Sequence, residues 1–270
     1  MASIVVYDSG VGGLTIYQDI VKKCPNHQII FVSDNAAFPY GTKTIEDLSH
    51  RVLSVAHSID ERYSPDILVV ACNTASTVVL PLLRERFSFD VVGVVPAIKP
   101  AAQISITKRI CLLATPGTIS RPYTDSLIEQ FASNCDVLKI ASASLVDLAE
   151  SKLFGLAIDL KKLEIILEPL IHDTSIDVLI LACTHFPLLN DEITQVLQQN
   201  NRQITLVDSS LAVALRVVKV LEELSVQTLL AGDQGQAARL AVFTSRISNE
   251  IFMKNLKGFG FDDFDFLDVN

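Results

Sequence analysis

Two stretches of nine residues, DILVVACNT at 66–74 and DVLILACTH at 177–185, decide the fold of this chain. Each consists of an acidic residue, four branched apolar residues, then Ala-Cys and two polar residues. A run of Val, Ile and Leu without alternation is typical of a strand that is buried on both faces of a parallel sheet. Helical signals follow each cysteine. The sequence therefore predicts that Cys72 and Cys183 lie at the carboxyl ends of two central strands, where open α/β sheets bind ligands.

The two cysteines are predicted to work as a pair. The start of a helix carries a partial positive charge, which lowers the pKa of a nearby thiol and favours the thiolate. Because the two stretches are copies of one pattern, their thiols are expected to occupy equivalent places. Cys72 and Cys183 should therefore face one substrate from opposite sides.

Short apolar runs and the helical patterns between them divide the chain into two similar halves. The runs begin at residues 4, 29, 67 and 91 in the first half and at 110, 137, 178 and 204 in the second. The spacings are nearly the same in both halves, which predicts a βαβαβαβ unit that is repeated once. The expected fold is α/β, with two pseudo-symmetric domains that are each a mostly parallel sheet flanked by helices. The active site is expected in the cleft between them.

The predicted break between the halves is the segment that Pro96 and Pro100 frame. We expect a first, discontinuous domain of residues 1–97 plus 208–270 and a second domain of residues 98–207. The Phe- and Asp-rich end at 259–266 fits either an edge strand or a partly ordered tail. Beyond residue 210 the sequence predicts, in order, a helix at 211–224, a loop at 231–236, a strand at 241–244 and a helix at 250–257.

Composition argues against two classes of partner. No run approaches the roughly 18 uninterrupted apolar residues of a membrane-spanning helix, although 49% of the 270 residues are hydrophobic. The formal net charge of −9 argues against nucleic acid as a partner. The five cysteines form no C-x-x-C pair, and the N-terminus has no signal-peptide pattern. These features predict reduced thiols and a cytoplasmic location.

Polar loops follow three of the predicted strands at the same edge of the sheets. The loop at 8–13, DSGVGG, fits neither common phosphate-binding glycine pattern. It is expected to bring backbone N–H groups and Ser9 to a small anion and to present Asp8, unless it is only a tight turn that Asp8 caps. The loops PYG at 39–41 and TPGT at 115–118 add hydroxyl groups and glycine N–H groups. Together they suit a ligand with carboxylate and ammonium groups.

The segment at 183–185, CTH, is open to several chemical interpretations. A zinc site would need three or four ligands, which Cys72 and Asp8 would have to complete. A cysteine nucleophile with His185 as its base would suit a hydrolase or a decarboxylase, but would leave Cys72 without a role. Two opposed acid/base groups would suit inversion at a carbon atom. A non-catalytic ligand-binding module is the alternative from another class.

Four motifs, in this order along the chain, resemble those of the glutamate racemase family: DSGVGG at 8–13, PYG at 39–41, ACNTA at 71–75 and CTHFPLL at 183–189. The resemblance covers most of the chain. It implies an isomerase that needs no cofactor or metal and interconverts L- and D-glutamate for peptidoglycan synthesis. Racemisation of another acidic amino acid, such as aspartate, is the alternative within the same superfamily.

The resemblance also implies roles for individual residues. Cys72 is expected to take the proton from D-glutamate and Cys183 to take it from L-glutamate. Asp8, Glu150 and His185 are expected to assist them, and only the resemblance points to Glu150. The residues expected to hold the amino acid are Asp8, Ser9, Tyr40, Gly41, Asn73, Thr74, Thr115, Thr118, Thr184 and His185.

Three further stretches, at 34–39, 92–100 and 149–153, resemble the subgroup that UDP-N-acetylmuramoyl-L-alanine activates, which makes such regulation a hypothesis for this chain. One departure is Pro116, where that subgroup more often has Arg. Proline lacks an N–H donor and a charge, and it stiffens the loop. Members of the family are monomers or homodimers, and the sequence leaves this choice open.

Overall fold

The computed structural model describes residues 1–225 and 239–269. The strands are, in chain order, β1 (Ser3–Asp8), β2 (Gln28–Ser33), β3 (Ile67–Val70), β4 (Asp90–Gly93), β5 (Arg109–Ala114), β6 (Asp136–Ala141), β7 (Val178–Leu181), β8 (Thr205–Val207), β9 (Arg239–Phe243) and β10 (Asp263–Phe266). The helices are α1 (Leu14–Lys23), α2 (Ile45–Tyr63), α3 (Asn73–Arg86), α4 (Ile98–Ile104), α5 (Pro116–Ile119), α6 (Pro122–Phe131), α7 (Ser144–Leu153), α8 (Leu160–His172), α9 (Asn190–Gln199), α10 (Ser210–Ser225) and α11 (Glu250–Lys257). Short 3₁₀ turns span Tyr40–Thr42 and Phe186–Leu189. No helix in these described ranges is long and apolar enough to cross a membrane.

The described strands pair in parallel to form two sheets. The first sheet has the order β10-β9-β2-β1-β3-β4, and the second has the order β6-β5-β7-β8. The segment β2-β1-β3-β4 repeats as β6-β5-β7-β8, so β1 matches β5 and β3 matches β7. This arrangement confirms the predicted α/β fold and its duplication. The first sheet takes its strands from 1–97 and 208–270 and the second from 98–207, while the domain boundaries themselves stay a prediction.

The central strands are apolar without alternation because helices cover both faces of each sheet. In β1, Ile4 and Val6 pack against α1 and α10 on one face. Val5 and Tyr7 pack against α2 and α3 on the other face. The second sheet is covered in the same way, by α7, α8 and α9 on one side and by α4 and α6 on the other. Burying both faces is what makes these strands read as continuous hydrophobic runs.

Helix α3 follows Cys72 directly, as predicted: it begins at Asn73, and Cys72 itself is its N-cap. One element differs from the prediction. The proline-framed break contains a helix, α4, because Pro100 falls in its first turn, where a backbone N–H has no partner within the helix. The predicted strand near 241 is β9 and the predicted last helix is α11. The loop predicted at 231–236 lies outside the described residues.

The C-terminal segment completes the first sheet. Strand β10 pairs with β9 at the sheet edge. Phe261, just before β10, stacks on Tyr17 with ring centroids 4.4 Å apart. Arg62 pairs with Asp265 and donates to the Phe266 carbonyl oxygen at 2.9 Å. Of the two interpretations of the Phe- and Asp-rich end, the edge strand is therefore confirmed.

Candidate active site

The candidate site lies where the strand order of each sheet reverses. Strands β1 and β3 are neighbours, and their crossovers lead to opposite sides of the sheet, as do those of β5 and β7. Asp8 ends β1, and Cys72 lies just beyond β3. Thr115 follows β5, and Cys183 lies just beyond β7. Parallel sheets bind ligands outside the carboxyl ends of their strands at such a reversal.

A cavity of about 250 Å³ opens between these strand ends. This volume falls below the ~300–1,000 Å³ that is typical of sites for drug-sized ligands, so it suits a smaller molecule. Both halves contribute to its wall. Most of the residues predicted for the site line it, namely Ser9, Tyr40, Gly41, Cys72, Asn73, Thr74, Thr115, Cys183, Thr184 and His185.

The other predicted residues, Asp8, Glu150 and Thr118, lie behind this wall. Thr118 is fully buried, and its hydroxyl oxygen is 3.1 Å from that of Thr115. The Thr115 hydroxyl in turn lies 3.4 Å from the hydroxyl of Thr74 on the opposite half. In this geometry Thr118 orients Thr115, and Thr115 faces the cavity.

Cys72 is held as a neutral thiol. Its side chain is 6% exposed, and Ser9 Oγ lies 3.7 Å from its sulfur. Burial, followed by the nearby carboxylate of Asp8, raises the pKa of Cys72 to about 12. The prediction of a lowered pKa at this strand end is therefore wrong for Cys72. The helix does contribute in the expected direction through the Ala75 N–H, but the effect of burial is larger.

Cys183 has a different neighbour, the imidazole of His185. The Cys183 sulfur lies 3.9 Å from His185 Nδ1, and His185 Nε2 lies 2.7 Å from Glu150 Oε1. Burial lowers the pKa of His185, but its hydrogen bonds to Cys183 and Glu150 raise it more, so the pKa is well above its usual value. The raised pKa favours the imidazolium form of His185, whose ring lies beside the Cys183 sulfur. In the part of the chain that the structure describes, no group of three or more His, Cys, Asp or Glu is placed to hold a metal ion.

The glycines of the first loop make room for this imidazolium. A Cβ atom on Gly10 would collide with Glu150 Oε1, and one on Gly12 would collide with His185 Nδ1. The Val11 N–H donates to Glu150 Oε1 at 2.9 Å. The loop therefore needs glycine because the second half packs directly against it, and only residues without a Cβ permit that approach.

Asp8, in the first half, also connects the two halves through its carboxylate. Its Oδ1 accepts a hydrogen bond from the Gly10 N–H at 2.8 Å. Its Oδ2 accepts one from the Thr184 hydroxyl at 2.9 Å. Burial raises the pKa of Asp8, and the charge of His185 opposes that rise. Asp8 and Glu150 each bind a group of the opposite half, so both are held in place only when the two halves meet.

Other features of the site were not predicted. The Tyr40 hydroxyl does not stay free for a ligand, since it donates to Asp34 Oδ2 at 2.5 Å. Asp147 and Val146 of α7 line the cavity, one helical turn before Glu150. A spacing of three residues on a helix places Asp147 and Glu150 on the same face, which is the one sequence signal for Asp147. Pro116 also lines the cavity and starts α5, where proline is favourable.

This fold and site define a class of protein, namely a duplicated α/β acid/base enzyme with one thiol from each half at a shared cavity. The sequence model of the Asp/Glu/Hydantoin racemase family matches residues 8–217. A glutamate racemase from Salmonella gallinarum is 48% identical over 221 residues, which are 82% of this chain and 77% of that protein. The glutamate racemase from Klebsiella pneumoniae matches with the same identity and coverage.

Solved structures show the same relationship. The crystal structure of Escherichia coli glutamate racemase, in complex with L-glutamate and the activator UDP-MurNAc-ala, superposes with a TM-score of 0.90. It is 42% identical, and the match covers 100% of this chain and 99% of that one. The RacE1 glutamate racemase of Bacillus anthracis gives a TM-score of 0.81 at 27% identity, over 100% and 97% of the two chains. The chain belongs to the Asp/Glu/Hydantoin racemase family.

Proposed function

We propose that this protein interconverts L- and D-glutamate and so supplies D-glutamate for peptidoglycan synthesis. The observation that carries the proposal is the placement of Cys72 and Cys183 at matching strand ends around one cavity. The 48% identity to curated glutamate racemases supports glutamate as the substrate. A cytoplasmic enzyme is consistent with this role.

The reaction follows from two thiols on opposite faces of the substrate. Starting from L-glutamate, the Cys183 thiolate removes the Cα proton, so the Cα–H bond breaks, an S–H bond forms and the electron pair stays on Cα. The Cys72 thiol then donates its proton to the opposite face, which leaves a Cys72 thiolate and D-glutamate. The reverse reaction starts from the opposite protonation state of the pair.

The two thiols have different surroundings in the absence of substrate. The raised pKa of Cys72 keeps it protonated and ready to act as an acid. The ring of His185 lies beside the Cys183 sulfur, and its contact with the Glu150 carboxylate favours the protonated imidazole. Asp8 lies near Cys72, since the Ser9 hydroxyl oxygen is 3.4 Å from Asp8 Oδ1 and 3.7 Å from the Cys72 sulfur. These positions support the roles that the resemblance implied for Asp8, Glu150 and His185.

The substrate carboxylates are proposed to bind neutral donors. The described residues that line the cavity include no Lys or Arg. They do include the hydroxyl groups of Ser9, Thr74, Thr115 and Thr184, together with the amide of Asn73. Asn73 Oδ1 is buried without a hydrogen-bond partner in the described structure, so it is placed to accept a bond from the substrate ammonium group.

Incubation of each glutamate enantiomer with the enzyme in D₂O tests the proposed activity. Circular dichroism should show inversion from either enantiomer, and mass spectrometry should show one deuterium at Cα. Aspartate and glutamine serve as comparison substrates. Preferential inversion of aspartate would overturn the choice of glutamate as substrate. The absence of both inversion and Cα exchange with every substrate tested would refute the proposed activity as a whole.

Single serine variants test the assignment of the two thiols. We expect Cys72→Ser to lose racemisation while it still exchanges the Cα proton of L-glutamate, because Cys183 faces that proton. Cys183→Ser should exchange only the Cα proton of D-glutamate. Cys111→Ser is the matched control, since this buried thiol lies in β5 away from the cavity. Full racemisation by either active-site variant would contradict a mechanism with two thiols.

Regulation by UDP-N-acetylmuramoyl-L-alanine is proposed on the same grounds. The Escherichia coli enzyme was solved with this type of activator, and it matches the present chain over its whole length. Racemisation should rise when the nucleotide is added. Equal rates with and without it would argue against the regulation and leave the activity itself intact.

We also propose that residues 1–97 with 208–270 and residues 98–207 act as two domains that close over the substrate.

A further inference from the structure

A buried carboxylate, Asp34, lies beneath the Cys72 side of the cavity and takes no part in the chemistry described above. It follows β2 directly, and its side chain is fully buried. Arg51 of α2 binds it in a bidentate fashion, with Nη2 2.6 Å from Oδ1 and Nε 2.9 Å from Oδ2. The Thr244 hydroxyl donates to Oδ1 at 2.7 Å, and the Tyr40 hydroxyl donates to Oδ2 at 2.5 Å. Asp34 therefore joins the end of β2 to three other segments: helix α2, the turn that begins at Tyr40 and the residue that follows β9.

Tyr40 is the member of this network that reaches the substrate cavity. It begins the 3₁₀ turn Tyr40–Thr42, which lines the cavity together with Pro39. Its hydroxyl also makes a hydrogen bond with the Tyr7 hydroxyl, and burial raises the pKa of both phenols, so both stay neutral. The turn itself has few bonds of its own, such as the one from the Thr42 hydroxyl to the Pro39 carbonyl oxygen at 3.2 Å.

The same turn meets the opposite half. A Cβ atom on Gly41 would lie in van der Waals range of Thr115, and one on Gly117 would come within 3.1 Å of the Gly41 carbonyl oxygen. The backbone N–H of Asp34 also donates to the Asp8 carbonyl oxygen at 2.8 Å, which links the network to the end of β1. A shift of Tyr40 would therefore move the wall of the cavity beside Cys72.

A role in stability alone is a weak explanation for this arrangement. A buried ion pair often contributes little net stability, because removing both charges from water offsets their attraction. What it does fix is geometry, since a bidentate guanidinium–carboxylate pair has one favoured orientation. Here that orientation aims the remaining lone pair of Asp34 Oδ2 at the Tyr40 hydroxyl.

We propose that Asp34 and Arg51 are positioning residues for racemisation, which hold Tyr40 and thereby fix the turn at 40–42 against the Cys72 side of the cavity. The proposal rests on the proposed function for the identity of the reaction. The positioning itself does not depend on which substrate the cavity takes.

A double-mutant cycle between Asp34→Asn and Tyr40→Phe tests this inference. Each single variant is expected to raise the KM of both glutamate enantiomers, with a loss in kcat/KM of about 10- to 100-fold, the range for a hydrogen bond to a charged group. Because both changes break the same contact, the double variant should be no worse than the poorer single variant. If the losses multiply instead, Asp34 does not act through Tyr40 and the inference is wrong.

A second measurement needs no substrate. Peptide mass spectrometry can follow the alkylation of Cys72 by iodoacetamide. The alkylation rate should rise about 10-fold in each single variant, because the loosened turn exposes a thiol that is buried in the parent protein. The rate should rise no further in the double variant. This result would stand even if the enzyme proved inactive on glutamate, whereas inactivity of the parent protein would refute the proposed function alone. Unchanged alkylation in both single variants would overturn the positioning role.

Asp173→Asn is the matched control, since Asp173 also binds an arginine, Arg109, with Nε to Oδ2 at 3.0 Å, far from the cavity. It should alter thermal stability without changing KM or the alkylation of Cys72. If Asp34→Asn does not fold, Arg51→Lys replaces it in the cycle, because lysine keeps a positive charge beside the buried carboxylate but loses the bidentate geometry that orients it. A loss of stability without any change in KM or alkylation would reduce Asp34 and Arg51 to a structural role and refute the proposal.

Discussion

Replacing Glu150 by Gln removes the negative charge that keeps His185 protonated, and this change is expected to shift the pH dependence of racemisation. The glutamine has the same shape, and its amide oxygen can still accept the hydrogen bond from the Val11 N–H. Because the Val11 N–H and His185 Nε2 both bond to Oε1, the same amide oxygen can also accept the hydrogen bond from His185 Nε2, but without the negative charge. The variant therefore isolates the charge of Glu150 from its packing.

The magnitude follows from the geometry of the pair. Glu150 Oε1 and His185 Nε2 are 2.7 Å apart, with side chains that are 18% and 3% exposed. A charge-assisted hydrogen bond of this kind contributes about 1.5–3 kcal/mol, which corresponds to about one to two pKa units. In the variant the pKa of His185 should fall by that amount, towards the ordinary value of about 6.5.

The assay is racemisation from each enantiomer, followed by circular dichroism from about pH 6 to 9. Compared with the parent, kcat/KM of the variant should begin to fall about one to two pH units earlier as the pH rises, because His185 becomes neutral there. The loss must be equal in both directions, since the two enantiomers have the same free energy. Glu129→Gln, an exposed change of the same type on α6, should leave the profile in place.

Stability provides an independent check, and its sign is fixed. The folded-state pKa of His185 is raised above its value in the unfolded chain, so its protonation contributes stability that is fully present below about pH 6.5 and is lost as the pH rises through the raised pKa. The variant should lack this contribution. The difference in the free energy of unfolding between parent and variant should therefore shrink as the pH rises. A parent-like pH profile together with a pH-independent difference would refute the role of Glu150.

Three further predictions concern packing and charge. Gly12→Ala places a Cβ against His185, so we expect kcat/KM to fall at least about 10-fold, as for a small misplacement of a catalytic group. In the same racemisation assay Gly93→Ala, whose added Cβ would meet the Leu80 side chain, should leave kcat/KM unchanged. Asp147 is exposed and lines the cavity, and the described structure gives it no hydrogen bond or ion pair. Asp147→Asn should lower the KM for the negatively charged dicarboxylate substrate about 2- to 5-fold, because it removes a like-charge repulsion of roughly 1 kcal/mol or less. The gain should vanish in high salt, and an unchanged KM at low salt would contradict this. Phe252→Ala empties a fully buried site on α11 and should destabilise the protein by about 3–5 kcal/mol in chemical unfolding, whereas truncation of the half-exposed Ile251 should cost far less.

The amino-acid sequence predicted most of the frame because both faces of its central strands are buried. Runs such as residues 67–70 and 178–181 can form little else than central parallel strands, and their spacing revealed the duplication. Short elements were harder to predict. Helix α4 lies in a proline-framed segment, and proline in a first turn looks the same in sequence as proline in a break.

The candidate site was predictable wherever its residues follow directly on such strands. Asp8, Cys72, Thr115 and Cys183 are fixed at the strand ends by the chain itself. Glu150 lies on a helix among other polar residues, and only its packing against the glycine loop and His185 distinguishes it. The resemblance to a known family, rather than any pattern in the residues, pointed to it.

The sequence by itself thus determined the two sheets, their duplication and the placement of one thiol at each matching strand end, because these follow from local hydrophobic runs and chain order. The environment of those strand ends was decided only by the tertiary structure. Burial near Asp8 raises the pKa of Cys72, whereas the imidazole beside Cys183 meets the carboxylate of Glu150, which is 35 residues away along the chain. The same holds for the Tyr40 hydroxyl, which the fold directs to Asp34 rather than to the cavity. The physical reason is that pKa values and hydrogen-bond partners depend on which distant residues come within a few ångströms, and only the folded chain brings them there.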